Sequence, residues 1–430
     1  MNDLIFKQYH LFKTSRYFPL FATQFFGALN ENIIKTTLLI LITYQIAQNT
    51  EINTQTLLAC AIGILMLPLF LFSTLAGQIA DKYDKSKIFV FIKMAELILV
   101  TLVISEFYLQ NLTLLFLSLF FLGLEITLLL PLKYSLLPTH LQEYELMAGN
   151  GLIVAGTCIA IVLGTLFGGF FIMSANGKQI LSISLVIFAI IGLISSCFIP
   201  KTQVNHQVTF GRRFIKNIFS LIHYVVSHKL LFFCILGISW FWLLVVIIFI
   251  ELPIYIKNSL HANEQVVTFI LLLFTTGVAI GAMFCNRIYH NKIHVKYTFF
   301  SAIGMSIFLI DFYFAGQQQI AYTAKLLGLS DFLQTTLHYR ICFDLLCFAI
   351  CGGIYNVPLY TIMQNHSEKT HRARVLACNS IFNALFSLCA ALISGILMWY
   401  SLSILQVLLL FAFLNLLFNS GICVFISQHR

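Results

Sequence analysis

The chain has 430 residues, of which 60% are hydrophobic and only 10% charged; its mean hydropathy is +0.92 and its formal net charge +9 at pH 7. That balance excludes an ordinary soluble globular protein and places the chain in a lipid bilayer. The basic excess does not read as a nucleic-acid surface, because no basic patch rides on a polar segment of domain size.

A bilayer core of about 30 Å takes roughly 20 apolar residues per helix. About twelve such stretches follow one another, at 17–46, 55–80, 88–108, 112–137, 147–172, 178–199, 228–256, 264–287, 296–315, 338–363, 374–399 and 403–427. Runs such as "LLFLSLFFLG" are apolar on every side rather than at alternate residues, which predicts helices and not a β-barrel. The first stretch is too long for a cleavable signal peptide and lacks its small-residue end. It also carries "FGALNENIIK", Phe26–Lys35, in the middle of its apolar run. Gln24, Gly27, Glu31 and Lys35 recur at spacings of three, four and four, so a helix sets them on one face as a polar stripe. Glu31 and Lys35, four apart, are placed to pair. Asn30 and Asn32 fall off the stripe, where they can bond neighbouring helices.

Between the second and third stretches lies "GQIADKYDKSK", Gly77–Lys87. A small residue there lets helices approach, and Asp81 with Lys82, Lys85 and Lys87 can form a charge network; alone, it also reads as a solvated turn. The third stretch holds Glu96, the fourth Glu125 and Lys133-Tyr134, and the fifth "GTLFGG", whose Gly164-x-x-x-Gly168 suits close helix packing. The polar break 200–217 divides the chain into a half at 1–200, a cytoplasmic linker at 201–217 and a second half at 218–430. An internal repeat supports the division. "PLKYSLLPTHLQEYELMAGNGLI" and "PLYTIMQNHSEKTHRARVLACNSIF" both begin with Pro-Leu, cross a polar loop and resume with Ala-x-Asn, so Asn150 corresponds to Asn379.

Further on, Glu251 lies in the seventh stretch, Asp311 in the ninth and Asp344 in the tenth, while 316–340 forms a long external connection, read either as a helix on the membrane surface or as a plain linker. A charge at the bilayer centre costs about 2.5–3.5 kcal/mol on insertion scales, so such residues face a partner or water. The resulting substrate-site candidates are Asn30, Glu31, Asn32, Lys35, Glu125, Lys133, Tyr134, Glu251, Asp344, Asn150 and Asn379; Glu96 and Asp311 read as structural pairs. Basic residues collect on one set of loops, which predicts cytoplasmic termini. The eleven cysteines include no C-x-x-C pair, and the histidines lack metal-ligand spacing, so neither a metal nor a cofactor is expected. No phosphate-cradling G-x-x-x-x-G-K-[ST] occurs, and the nearest approach to an acyltransferase H-x-x-x-x-D, "HLQEYE", ends in Glu145; no enzymatic step is expected.

The loop from Gly77 to Lys87 resembles the signature loop of the major facilitator superfamily, G-x-x-x-D-[RK]-x-G-[RK]-x-[RK], with Asp84 where glycine is usual. The resemblance implies an all-α membrane protein of twelve transmembrane helices in two pseudo-symmetric six-helix halves. It further implies a cavity lined by helices one, four, seven and ten, and conformational gating by Gly77, Asp81, Lys82, Lys85 and Lys87. "TQFFGALNENIIKTTLLILITYQ", "GQIADKYDKSKIF", "PLKYSLLP" with "AGNGLI", and "GGIYNVPL" with "RARVLACNSIFNALF" look like the lysophospholipid transporter family. They also resemble the transporter portion of larger bacterial proteins fused to acyltransferase and acyl-carrier-protein synthetase domains. The family pattern usually has Asp-Asn where this chain has Glu31-Asn32, and often Lys-Tyr-Gly where it has Lys133-Tyr134-Ser135. Some members have an arginine on helix seven, where this chain offers Glu251.

The resemblance implies movement of lysophospholipid, above all lysophosphatidylethanolamine, from the outer to the inner leaflet of a bacterial cytoplasmic membrane by alternating access. Membrane lipids would surround the protein, a separate soluble acyltransferase would consume the lipid, and no nucleic acid would take part. A second reading stays open at this point. "GTLFGG" is similar to the antiporter motif G-P-x-x-G-G with Thr165 in place of proline, which suits a proton-coupled exporter of drugs or small metabolites, with Glu31 or Asp344 carrying the proton.

Overall fold

The structure, a computed structural model, describes residues 10–42, 54–172, 174–202, 214–289, 295–317, 327–368, 371–399 and 403–428. A short 3-10 turn at Leu11–Lys13 precedes fourteen helices: α1 (Phe18–Leu41), α2 (Thr54–Lys82), α3 (Lys85–Leu109), α4 (Leu112–His140), α5 (Glu143–Ile172), α6 (Gly177–Cys197), α7 (Phe214–Ser227), α8 (Lys229–Asn258), α9 (Glu264–Tyr289), α10 (Val295–Gly316), α11 (Leu329–Phe332), α12 (Thr336–His366), α13 (Arg372–Trp399) and α14 (Ile404–Gln428). Among the described residues the one strand-like pairing is an isolated bridge between Ala262 and Leu327. Helix dominates because a backbone in hydrocarbon must satisfy every N–H and C=O within its own segment.

Eleven of these helices are long and apolar enough to cross a membrane. The twelfth expected span, α1, has 24 residues and falls short of the others only in apolarity, because Gln24, Asn30, Glu31, Asn32 and Lys35 interrupt it. The other expected spans coincide with α2–α6, α8–α10 and α12–α14, mostly lengthened by a few residues at polar ends. One helix was not expected, α7 after the polar break; the four-residue α11 falls within 316–340, the connection read either as a surface helix or as a plain linker. The linker from 203 to 213 and the stretch 318–326 lie outside the described residues.

The chain forms two compact units. The first comprises Met1–Gly149, Ile159–Ser227 and Gln364–Ile381; the second comprises Asn150–Cys158, His228–Met363 and Phe382–Arg430. Each therefore includes a short segment from the opposite half of the chain. Asn150 of the repeat belongs to the second unit and its counterpart Asn379 to the first.

Glycines set the close approaches inside each unit. In the first, a methyl group on Gly123 of α4 would fall 2.1 Å from the Leu65 carbonyl oxygen of α2. Gly164 and Gly168 of α5 lie close on α1, where added methyls would come 2.8 Å from Leu29 O and 3.0 Å from Ile33 O. "GTLFGG" thus packs two helices together. The buried core of this unit is aliphatic and aromatic, with Ile33, Leu99, Phe107 and Leu185 among its members. In the second unit polar side chains join α10 to α14. Asn415 donates to Ala302 O at 2.9 Å and to Ser306 Oγ at 2.8 Å, and Trp240 of α8 donates to Asn415 Oδ1 at 3.0 Å.

Candidate functional site

In the first unit the polar stripe of α1 faces α3 and α4 across a cavity of about 50 Å³, whose walls include Gln24, Gly27, Glu31, Lys93, Glu125 and Lys133. Lys93 is its organising group. Fully buried, its ammonium lies 2.5 Å from Glu96 Oε2 and 3.1 Å from Glu125 Oε1. Asn30 fixes the far side of this arrangement by donating from Nδ2 to Glu96 Oε1 at 2.9 Å and to the Leu185 carbonyl of α6 at 3.2 Å. A chain of polar contacts thus runs from α6 through α1 and α3 to α4. Gly27 leaves room for it: a methyl there would sit 2.4 Å from Lys93 Nζ.

The electrostatics follow from the count of charges. With Lys93, Glu96 and Glu125 all ionised, one ammonium serves two carboxylates and the trio keeps one excess negative charge. Glu31 pairs with Lys35 at 3.9 Å, both about one-third exposed, a geometry that contributes little. Lys133 supplies a positive group to the same cavity, its ammonium 5.2 Å from the centre of the Tyr134 ring. Acidic and basic groups therefore face one small space, as recognition of a zwitterion requires.

The remaining candidates are distributed as follows. Asn32 donates to its own helix at Ala28 O, 2.7 Å away, and packs beside Gly164. The Tyr134 carbonyl accepts from Gln364 Nε2 at 2.9 Å. Asn379 is buried within the first unit. In the second unit, Asn150 donates to Thr361 Oγ1 at 3.1 Å, Glu251 accepts from Ser394 Oγ at 2.7 Å, and Asp344 is buried near Asp311. Asp311 itself is held by Arg340 through Nε at 3.1 Å and through Nη2. Glu96 and Asp311 are both in ion pairs. Lys93 is the residue that sequence reasoning missed; the available signal was its position three residues before Glu96 in an apolar run.

The Gly77–Lys87 loop builds a second charged cluster within the first unit. Asp81 accepts from the backbone N–H of Ala373 at 2.8 Å and of Arg374 at 3.1 Å, and from Arg374 Nε at 3.3 Å. It therefore caps the first turn of α13, where a carboxylate meets both the exposed N–H groups and the positive end of the helix dipole. Gly77 permits the contact, since a methyl on it would fall 2.8 Å from Arg374 Cα. Lys82 lies over the Tyr83 ring at 5.7 Å, Lys85 is buried and Lys87 is exposed.

Asp84 caps α3. It accepts from Ser86 N and Oγ at 3.1 and 2.9 Å, and from Thr202 N and Oγ1 at 3.0 and 2.9 Å. Burial pushes its carboxyl up, but the four hydrogen bonds outweigh burial and hold it below the ordinary aspartate value. Beside this cluster the Tyr224 ring of α7 stacks on His371, centroids 4.9 Å apart and planes 16° apart.

Comparison with known proteins fits this architecture. The Major Facilitator Superfamily description matches residues 20–336. A protein of Photorhabdus laumondii named lysophospholipid transporter LplT is 24% identical over 71% of this chain and 71% of its own length. One of the same name from Yersinia pestis is 21% identical over 81% of this chain and 78% of its own. The crystal structure of the human organic anion transporter MFSD10 superposes with a TM-score of 0.71 at 12% identity, covering 95% of this chain and 99% of that one. With membrane-length helices throughout and a family match over well more than half its length, the chain belongs to the Major Facilitator Superfamily and is a multi-pass membrane transporter.

Proposed function

We propose that the protein moves a lysophospholipid, above all lysophosphatidylethanolamine, across the bacterial cytoplasmic membrane by alternating access, with both termini in the cytoplasm. The observation that carries this reading is the cavity in the first unit, where Glu31 and Glu125 share one small space with Lys93 and Lys133. A zwitterionic headgroup crosses hydrocarbon only if something replaces its water. In this site the carboxylates would receive the ammonium and Lys133 the phosphate, while the acyl chain stays against lipid or apolar walls. The names of the two bacterial relatives support the same substrate class. No covalent step is required, only different headgroup affinity in two conformations. Reacylation would fall to a separate soluble acyltransferase.

The test is uptake of labelled lysophosphatidylethanolamine by spheroplasts lacking their own transporter, with and without this protein. Protein-dependent uptake is expected, with Glu31→Gln and Lys133→Ala each lowering it while expression holds. Absence of uptake beside abundant protein would overturn the reading. Wild-type rates in both variants would remove those two residues from the site.

A further inference from the structure

In the second unit, α10 and α12 bring together three charged side chains that take no part in the headgroup cavity of the first. Arg340 of α12 donates to Asp311 of α10 through Nε at 3.1 Å and through Nη2, while its Nη1 makes no hydrogen bond among the described residues. Asp344 follows Arg340 by four residues and so shares its face of α12. It is 1% exposed and lies against Asp311, yet neither of its carboxyl oxygens has a hydrogen-bond partner among the described residues. One guanidinium thus faces two carboxylates, and its bonds go to Asp311 alone.

Depth and surroundings suit a lipid headgroup. α12 has 31 residues, about 46 Å of helix against a hydrocarbon core of about 30 Å, so its ends stand in the headgroup layers. Arg340 is four residues from the start of α12, about 6 Å along it, and Asp311 is five residues from the end of α10, at a matching depth. The two side chains are 42% and 40% exposed. Beside them Tyr339 and Phe343 of α12 and Phe314 of α10 are each more than half exposed, and Phe343 meets Phe308 of α10 edge to face, ring centroids 6.1 Å apart. A tyrosine at this depth suits the membrane interface, and the phenylalanines offer apolar surface below it.

The cluster lacks a positive charge that can donate to Asp344, and it offers one guanidinium N–H group to an anion. A primary ammonium linked to a phosphate meets both needs through charge-assisted hydrogen bonds. We propose that the surface where α10 meets α12 binds phosphatidylethanolamine of the surrounding bilayer. The ammonium donates to Asp344 and Asp311, the phosphate accepts from Arg340 Nη1, and the acyl chains lie along Phe314 and Phe343. In the topology proposed above, this lipid belongs to the outer leaflet. A choline headgroup has no N–H to give and a glycerol headgroup has no positive charge, so neither satisfies Asp344.

Native mass spectrometry of the purified, delipidated full chain tests this with no lysolipid present. The protein is given equal amounts of dioleoyl-phosphatidylethanolamine, dioleoyl-phosphatidylcholine and dioleoyl-phosphatidylglycerol. The ethanolamine lipid should be retained several-fold over the other two. Asp344→Asn removes an uncompensated buried charge at nearly constant volume, so this variant should fold at least as well as the wild type, and it should lose the preference. Equal retention of all three lipids by the wild type, the result expected if Asp344 simply carries a proton, overturns the proposal. An unchanged preference in Asp344→Asn does the same. Loss of the preference in Lys133→Ala instead would assign the lipid to the cavity of the first unit, and displacement by free phosphoethanolamine at equal concentration would assign the site to a soluble molecule; either result overturns it. Because no transport is read, failure here leaves lysolipid movement standing, and failure of lysolipid uptake leaves this site standing.

Discussion

A methyl group on Gly27 would lie 2.4 Å from an ammonium nitrogen that is held by two carboxylates and has no exposed surface to retreat to. Gly27→Ala should therefore displace Lys93 and destabilise the protein by about 1–3 kcal/mol, the usual range for overpacking. Lys93→Met should cost more, about 3–5 kcal/mol, since Glu96 and Glu125 would stay buried without their cation. Thermal unfolding in detergent checks both, and Glu125→Gln in the Lys93→Met background should recover part of the loss by removing one orphaned charge. Glu31, Glu125 and Lys133, which line one cavity, were legible as candidates because intramembrane charge is expensive wherever it occurs. Lys93 was not, because a lysine three residues before a glutamate satisfies itself on paper. That it also reaches Glu125, 32 residues away on another helix, is decided only when α3 and α4 pack.

Among the elements, α3 owes its start to Asp84, which takes two hydrogen bonds from Ser86 in its own first turn and two from Thr202 beyond α6. Asp84→Ala should lower stability by about 1–2 kcal/mol, the upper part of the N-cap range. The pH dependence has a definite sign. Because the folded state holds this carboxyl below its ordinary value, the stabilisation is complete above the unfolded aspartate value and is lost as pH falls through the lower, folded one. Melting curves on the acid side should thus converge for wild type and variant. The long helices could be read from apolarity because length and composition suffice for them. α7 could not, since the polar break before it gives no hint that 14 residues of mixed character turn helical once Leu221 and Val225 find a packed surface. The place of Asp84 in the signature loop, where glycine is usual, reads as a departure in sequence and becomes a cap only when Thr202 is brought to it.

For the whole molecule, transport requires contacts that can be made and released in turn. We propose that Gly77 and Asp81 form one such contact, through a backbone approach that leaves no room for a side chain and a carboxylate aimed at one helix start. Gly77→Val should hold α2 away from the Arg374 backbone, slow the cycle for any substrate and leave expression unchanged. A membrane-impermeant thiol reagent should then label Ala373→Cys faster, in a cysteine-free background, than when Gly77 is intact; unaltered uptake and labelling would exclude a gating role for the contact. The repeat marked by Asn150 and Asn379 pointed to two related halves. It could not indicate that each asparagine is counted with the other unit, because pseudo-symmetry relates segments without saying which partner they pack against.

The cap that Asp81 provides for α13 also has a clock in it. Aspartate and its helix are 293 residues apart in the chain, and at typical synthesis rates roughly 15–60 s separate their appearance from the ribosome. Throughout that interval the carboxylate has no helix start to hold, and the first unit lacks the segment Gln364–Ile381. The amino-terminal helices must therefore wait in the membrane, inserted and hydrated at this loop, until residues made much later arrive to finish the unit begun first.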